Sequence, residues 1–231
     1  MQPTSSNWPA EVLAILRKEF LGEIRSKTGL VTGGLFCLTT IVTVATAFFN
    51  GDVNRPDLRE VSCLQIWTIV LFASILTLPR SFLTEEEQGT GDLLRLVARP
   101  HAIFWGKALF NLTLIFALCL IVGILYAALT GLAVRDIPLY GATMLAGGAA
   151  MTGVVTSCGA IASRAANRTL LAGAISLPLV LPPCHWGVTG LEAAIRAGQT
   201  SDGWMAVVGL SAYAVLSHLI APWIYATIWK G

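Results

Sequence analysis

Glu85, Glu86 and Glu87, followed by Gly89-Thr90-Gly91-Asp92, form the most polar stretch of a chain in which only 12% of residues are charged. Adjacent carboxylates can do acid–base or metal chemistry when a protected cleft pairs them with a histidine or a nucleophile. No such partner lies nearby. A phosphate cradle of the form G-x-x-x-x-G-K-[ST] is also missing, and GTGDLLRL lacks the lysine that would reach a nucleotide's phosphates. The histidines are scattered: His101 follows Pro100, His185 stands in PPCHWG beside Cys184 and Trp186, and His218 lies deep in an apolar run. Cys37, Cys63, Cys119, Cys158 and Cys184 show no C-x-x-C and no metal-type spacing, which reads as buried packing. The residues able to do chemistry are therefore not grouped as a catalytic or metal site. The acidic stretch reads as either a solvated loop or a handle for a partner.

What must position that stretch follows from composition. Hydrophobic residues make up 55% of the 231 and mean hydropathy is +0.71, a membrane protein's balance. The net charge of +2 comes without a basic face or stripe, so a nucleic-acid groove is excluded. Crossing about 30 Å of hydrocarbon takes roughly 20 apolar residues in a helix. Six segments qualify: 30–49, 61–79, 108–129, 139–162, 170–190 and 203–229. The first begins too far in, and runs too long, to be a cleaved signal peptide. Basic residues concentrate before residue 30, in 80–107, in 163–169 and at Lys230, whereas the intervening loops hold only Arg55, Arg59, Arg135 and Arg196. The positive-inside bias then puts both termini and 80–107 in the cytoplasm. Pro178, Pro182 and Pro183 predict a fifth span that is broken or kinked, re-entrant or unwound toward its outer end.

Residues 9–27 space Leu13, Leu16, Phe20 and Ile24 three and four apart, with Glu11, Arg17, Lys18, Glu23 and Arg25 largely elsewhere on the wheel. This predicts an interfacial helix on the cytoplasmic leaflet, or one tucked under the bundle. No linker divides the chain, so residues 1–231 are expected to form a single transmembrane domain of all-α class. Between spans two and three, Gly89 and Gly91 supply a turn, Thr90 is a plausible N-cap with Asp92 in the first turn, and DLLRLVA gives a short helix ended by Pro100. Leu93, Leu94, Leu96 and Val97 make its apolar face, and Glu85, Glu86 and Glu87 are expected to face water. In span four, Gly147 to Gly153 and Cys158-Gly159, with Gly141 before them, give small faces that suit packing within one subunit and a subunit interface equally.

The pattern F-x-x-E-x-x-x-G-T-G-D-L-L (Phe82 to Leu94), then Pro100 and Gly106-Lys107 opening the next span, resembles the CcmB family, the membrane subunits of the haem exporter-type ABC transporter of cytochrome c maturation. Gly91 and Asp92 depart from that family's usual Leu and Glu, so the elbow's helix is expected to start later or pack less tightly. The resemblance implies a six-span permease in the cell's inner membrane. It implies a cytoplasmic elbow, Glu85, Glu86, Glu87, Gly89, Thr90, Asp92, Leu93 and Leu94, that docks on a separate ABC ATP-binding subunit and carries its closure to the spans. It also implies a second permease copy or a haem-handling membrane subunit as partner. No cofactor is bound directly: ATP acts through the partner, and haem is cargo of the complex, whether it is moved or its carrier is remodelled. In that setting His185 could supply an axial ligand to haem iron, although a His-Trp pair at an interface more commonly anchors there. His218 reads as hydrogen-bonded within the bundle or as part of a transport path. A general ABC-2 exporter of another substrate, and a scaffold without an ATPase, fit the same elbow.

Overall fold

The computed structural model describes residues 7–48, 52–87, 89–91, 94, 96, 98–163, 165–196 and 200–230, without the side chains of Glu86, Glu87 and residues 228–230. Among the described residues the chain forms eight helices and no strand. They are α1 (Trp8–Ser26), α2 (Thr28–Ala47), α3 (Pro56–Thr77), α4 (Arg80–Glu87), α5 (Pro100–Thr130), α6 (Ile137–Ala162), α7 (Arg168–Ile195) and α8 (Thr200–Lys230). Six of them, α2, α3 with the start of α4, and α5 to α8, are long and apolar enough to cross a membrane. The all-α, six-span expectation is met, with the ends of the elements adjusted. Pro100 does not merely stop the elbow helix. It occupies the first turn of α5, where a missing N–H costs nothing, so the third span begins before residue 108.

α6 is the centre of the bundle, with 72% of its apolar window buried against 17% for α2. Its small residues let neighbours close in on every side. A methyl at Gly147 would overlap the ring of Trp67 on α3, one at Gly153 would overlap Ser217 on α8, and one at Gly159 would stand 2.9 Å from Pro79. Gly187 on α7 meets the same Trp67 ring. These small faces are therefore used inside this chain, apart from Gly141, which faces open space.

α7 runs without interruption from Arg168 to Ile195 through Pro178, Pro182 and Pro183, which corrects the expectation of a re-entrant or unwound span. Part of the reason is visible at Pro183. Proline at this position cannot donate to the Leu179 carbonyl four residues back, and the Tyr213 hydroxyl of α8 donates to it instead, at 2.7 Å. Tyr213→Phe is expected to leave that carbonyl unpaired in apolar surroundings and to cost about 1–2 kcal/mol. Thermal unfolding of the detergent-solubilised variant checks this, and an unchanged midpoint would mean that α7 does not need the hydroxyl.

At the end opposite the elbow, Asn54 ties two loops together by donating to Gly131 O (3.0 Å) and accepting from Ala133 N (2.8 Å). Asp136 caps α6 by accepting from Leu139 N at 3.0 Å.

Candidate functional site

The elbow end is built around a break between α3 and α4. Pro79 interrupts the helix, and the Phe82 N–H bonds to the Pro79 carbonyl at 3.0 Å. The freed Leu78 carbonyl accepts from Asn111 Nδ2 (3.0 Å) and from the Ser81 hydroxyl (3.1 Å). Asn111 Nδ2 also lies 2.9 Å from Thr156 Oγ1 of α6. One turn before Asn111, on the same face of α5, stands Lys107, whose side chain is 0% exposed.

Lys107 is paired on all sides. Its Nζ lies 3.0 Å from Glu19 Oε1 on α1 and 2.9 Å from Glu85 Oε2 on α4, donates to the Ser81 carbonyl, and stands 5.1 Å over the Phe82 ring. Lys18 closes the set by pairing with Glu85 and, at 3.3 Å, with Glu19. Each ammonium meets both carboxylates and each carboxylate both ammoniums, so the four charges alternate around a neutral ring. Burial opposes the Lys18 charge, but the hydrogen bond to Glu85 and the negative charges of Glu19 and Glu85 outweigh it and hold its pKa above the ordinary lysine value. Glu85 therefore does not face water as expected: its side chain is 13% exposed, turned inward by two lysines. Beside the ring a cleft of about 490 Å³ opens between α1, α2, α4 and α5, lined in part by Arg80, Thr84 and Thr90.

α1 is held here by three carboxylates at helical spacing. Glu11 accepts from the backbone N–H of Arg99 at the N-terminus of α5 (3.4 Å), Glu19 joins the ring, and Glu23 accepts from Leu30 N in the first turn of α2 (2.8 Å). Lys27, in left-handed conformation at φ 54°, turns α1 into α2. The inward face is Val12, Ile15, Leu16, Glu19 and Phe20, whereas Leu13 and Ile24 of the expected apolar face are each 64% exposed. The helix is tucked against α5 and still offers apolar residues to lipid. Gly106 makes the close approach possible, because a methyl there would stand 2.7 Å from Ile15 Cβ and 3.0 Å from the Val12 carbonyl.

The turn after α4 follows the sequence. Gly89 takes φ 66° and Thr90 N bonds to Glu85 O at 3.0 Å, the six-to-one bond of a Schellman ending. Thr90's carbonyl accepts from Leu94 N at 3.2 Å, as a helix-starting residue's should, yet its hydroxyl turns back to the same Glu85 carbonyl (3.3 Å) that already accepts from Thr90 N. The hydroxyl therefore does not cap forward. Leu94 packs on the cluster of Ile15, Phe82, Phe104, Ala160 and Tyr225 beneath the elbow. Asp92 and Leu93, with Gln88, Arg95 and Val97, lie outside the described residues, as do the side chains of Glu86 and Glu87.

Sequence reasoning missed Glu19, Lys18, Lys107 and Asn111 as a site. The available signal was Lys107 and Asn111, four apart on one helical face at the start of an apolar run. The histidines do not join the site. His185 is exposed on α7 in a cleft of about 380 Å³ with Trp67, Cys184 and Glu192. His218 Nδ1–H donates to the Ala214 carbonyl at 2.8 Å and its ring stacks on Trp105. Among the described residues no three His, Cys, Asp or Glu side chains gather as metal ligands.

Among the described residues, ion pairs therefore tie the elbow to two helices, α1 and α5. Heme exporter protein B of Bradyrhizobium diazoefficiens is 30% identical over 220 residues, an overlap that covers 92% of this chain and 94% of that one. The family model described as CcmB protein matches residues 10–229, from the first turn of α1 to the last turn of α8, and this chain belongs to the CcmB family.

Proposed function

We propose that this chain is the membrane-spanning subunit of an ABC-type exporter that handles haem in cytochrome c maturation, driven by ATP hydrolysed on a separate subunit. The observation that carries the reading is the end-to-end likeness to a protein named as a heme exporter, with six apolar helices and a structured elbow between the second and third. In this reading the chain does no chemistry of its own. Closure of the ATP-binding subunits displaces the elbow, and the spans shift between arrangements already accessible to them. The bias of basic residues toward one side supports this reading, with the elbow, α1 and both termini on the cytoplasmic face of the inner membrane. A second permease copy or a haem-handling membrane subunit completes the complex, and haem is its cargo.

With Glu85 turned inward, docking falls in this reading to the other residues of the elbow: Glu86, Glu87, Gly89, Thr90, Asp92, Leu93 and Leu94. Purification of the tagged chain from its native membrane in mild detergent tests this. An ATP-binding subunit and haem-handling membrane proteins are expected with it. An ATPase alone would favour an exporter of another substrate, and no ATPase would leave a scaffold. Glu86→Lys with Glu87→Lys is expected to reduce recovery of the ATPase without affecting insertion. Reversing Glu85 as well would confound the test, because it would place a third cation beside Lys18 and Lys107.

Gly89 gives a cleaner probe of the turn. It has open space around it and a left-handed backbone, so a substitution there acts through φ alone. Gly89→Val is expected to cost about 1–2 kcal/mol locally, impairing cytochrome c maturation, while Gly89→Asn, which tolerates that conformation, retains it. Equal yields of mature cytochrome from the two variants would remove the turn from the mechanism.

A further inference from the structure

We infer that Lys18, Glu19, Glu85 and Lys107 bind α1, α4 and the N-terminal half of α5 into one rigid lever, so that the first helix of the chain moves with the elbow when ATP drives it. The inference rests on the proposed coupling role of the elbow and adds residues that position it. None of the four touches cargo or nucleotide in this scheme; they act through Glu85.

Two kinds of contact surround the elbow. Toward α1 and α5 they are directional and charged: three ion pairs join the three helices and a fourth, Lys18–Glu19, lies within α1, with Lys107 completely buried and both acids 13% exposed. Toward α6 and α8 the described side chain of Phe82 packs in an apolar cluster. Its ring meets Tyr225 of α8 with centres 5.4 Å apart, and Ala160 of α6 and Ala221 of α8 join Ile15 of α1 and Phe104 of α5 there. Apolar contacts tolerate sliding, because their energy depends on area and not on register. Buried ion pairs do not, because each must keep its partners in hydrogen-bonding geometry or leave a charge uncompensated.

Buried ion pairs are a poor choice if adhesion alone is required, since apolar side chains of similar volume often hold as well. Their distinctive property is fixed register, which suits a part that has to transmit displacement. The slip plane then lies between the lever and α6 to α8. Asn111, which contacts both the α3–α4 link and Thr156 of α6, crosses it at the far end of the lever and serves as the pivot.

The test uses the purified complex with its ATPase and pulsed electron spin distance measurements in ATP-free and vanadate-trapped states. Cys184 is replaced by serine, and the other four thiols are buried. Labels at Leu13 (64% exposed) on α1 and Leu96 (81%) in the elbow beyond α4 report whether the first helix and the elbow move together, and labels at Leu13 and Leu170 (75%) report across the slip plane. The expected result is an unchanged Leu13–Leu96 distance between the two states and a shifted Leu13–Leu170 distance.

In the neutral ring, Lys18→Met, Glu19→Gln, Glu85→Gln and Lys107→Met together, the ATPase should still co-purify. The Leu13–Leu96 distribution should broaden and cytochrome c maturation should be lost. Should that variant fail to accumulate, Glu85→Gln with Lys107→Met keeps the Lys18–Glu19 pair within α1 and removes the ion pairs that join α1, α4 and α5, with the same expected broadening. A Leu13–Leu96 distance that changes with nucleotide in the unaltered chain, or normal maturation with a neutral ring, would overturn the lever. Failure of the underlying coupling reading looks different: no ATPase would accompany even the unaltered chain.

Discussion

Lys107→Met is expected to destabilise the protein by about 3–5 kcal/mol, the range for removing one partner of a buried ion pair. Methionine matches the lysine stem in length and shape, so packing on Phe82 largely survives while the charge is lost. Glu19 and Glu85, each 13% exposed, are then left with Lys18 as their only shared cation, and the Ser81 carbonyl loses its donor. The effect comes from imbalance, so restoring balance should relieve it. Adding Glu85→Gln leaves the neutral Lys18–Glu19 pair and should recover part of the loss, a coupling of about 0.5–3 kcal/mol in a double-mutant cycle. Thermal unfolding in detergent of the two single variants and the double variant measures it. If the two single losses simply add, the charges do not form one unit.

The spans were legible because hydrocarbon imposes one requirement along the whole length of a helix, and a run of apolar residues states it locally. The Gly89 turn was legible for a similar reason: a left-handed residue is a local demand, and glycine meets it. Glu85 was misread because three glutamates in a row look solvated when taken by themselves, and what turns the first of them inward stands at positions 18 and 107.

α1 shows the same limit. Its inward face includes Glu19 and is flanked by Glu11 and Glu23, so a helical wheel classifies that side as polar and selects Leu13 and Ile24 as the buried positions. Acids that cap another helix or meet a buried lysine are indistinguishable from solvated acids until the partner is known. The same holds for α7, where three prolines predict a break and a tyrosine on α8 removes part of the reason for one.

Gly106→Val is expected to detach α1 from α5, with a loss of about 1–3 kcal/mol from overpacking alone and a further loss from the ring. The neighbour at 3.0 Å is the Val12 carbonyl, a backbone atom that no rotamer change can move, and Ile15 Cβ at 2.7 Å is equally fixed to its helix. A branched side chain at 106 must therefore push the whole of α1 away, which carries Lys18 and Glu19 from Lys107 and Glu85. The control lies on α1 itself: Gly22 has nothing within 4 Å of an added methyl, so Gly22→Ala should stabilise the helix by about 0.5–1 kcal/mol. Opposite shifts in unfolding midpoint for these two glycine replacements would show that α1 is held by its contact with α5. Because the ring depends on that contact, Gly106→Val should also reproduce the loss of maturation expected of a neutral ring while all four charged residues remain in place. Retained maturation in a chain whose α1 has demonstrably moved would separate the first helix from the coupling path.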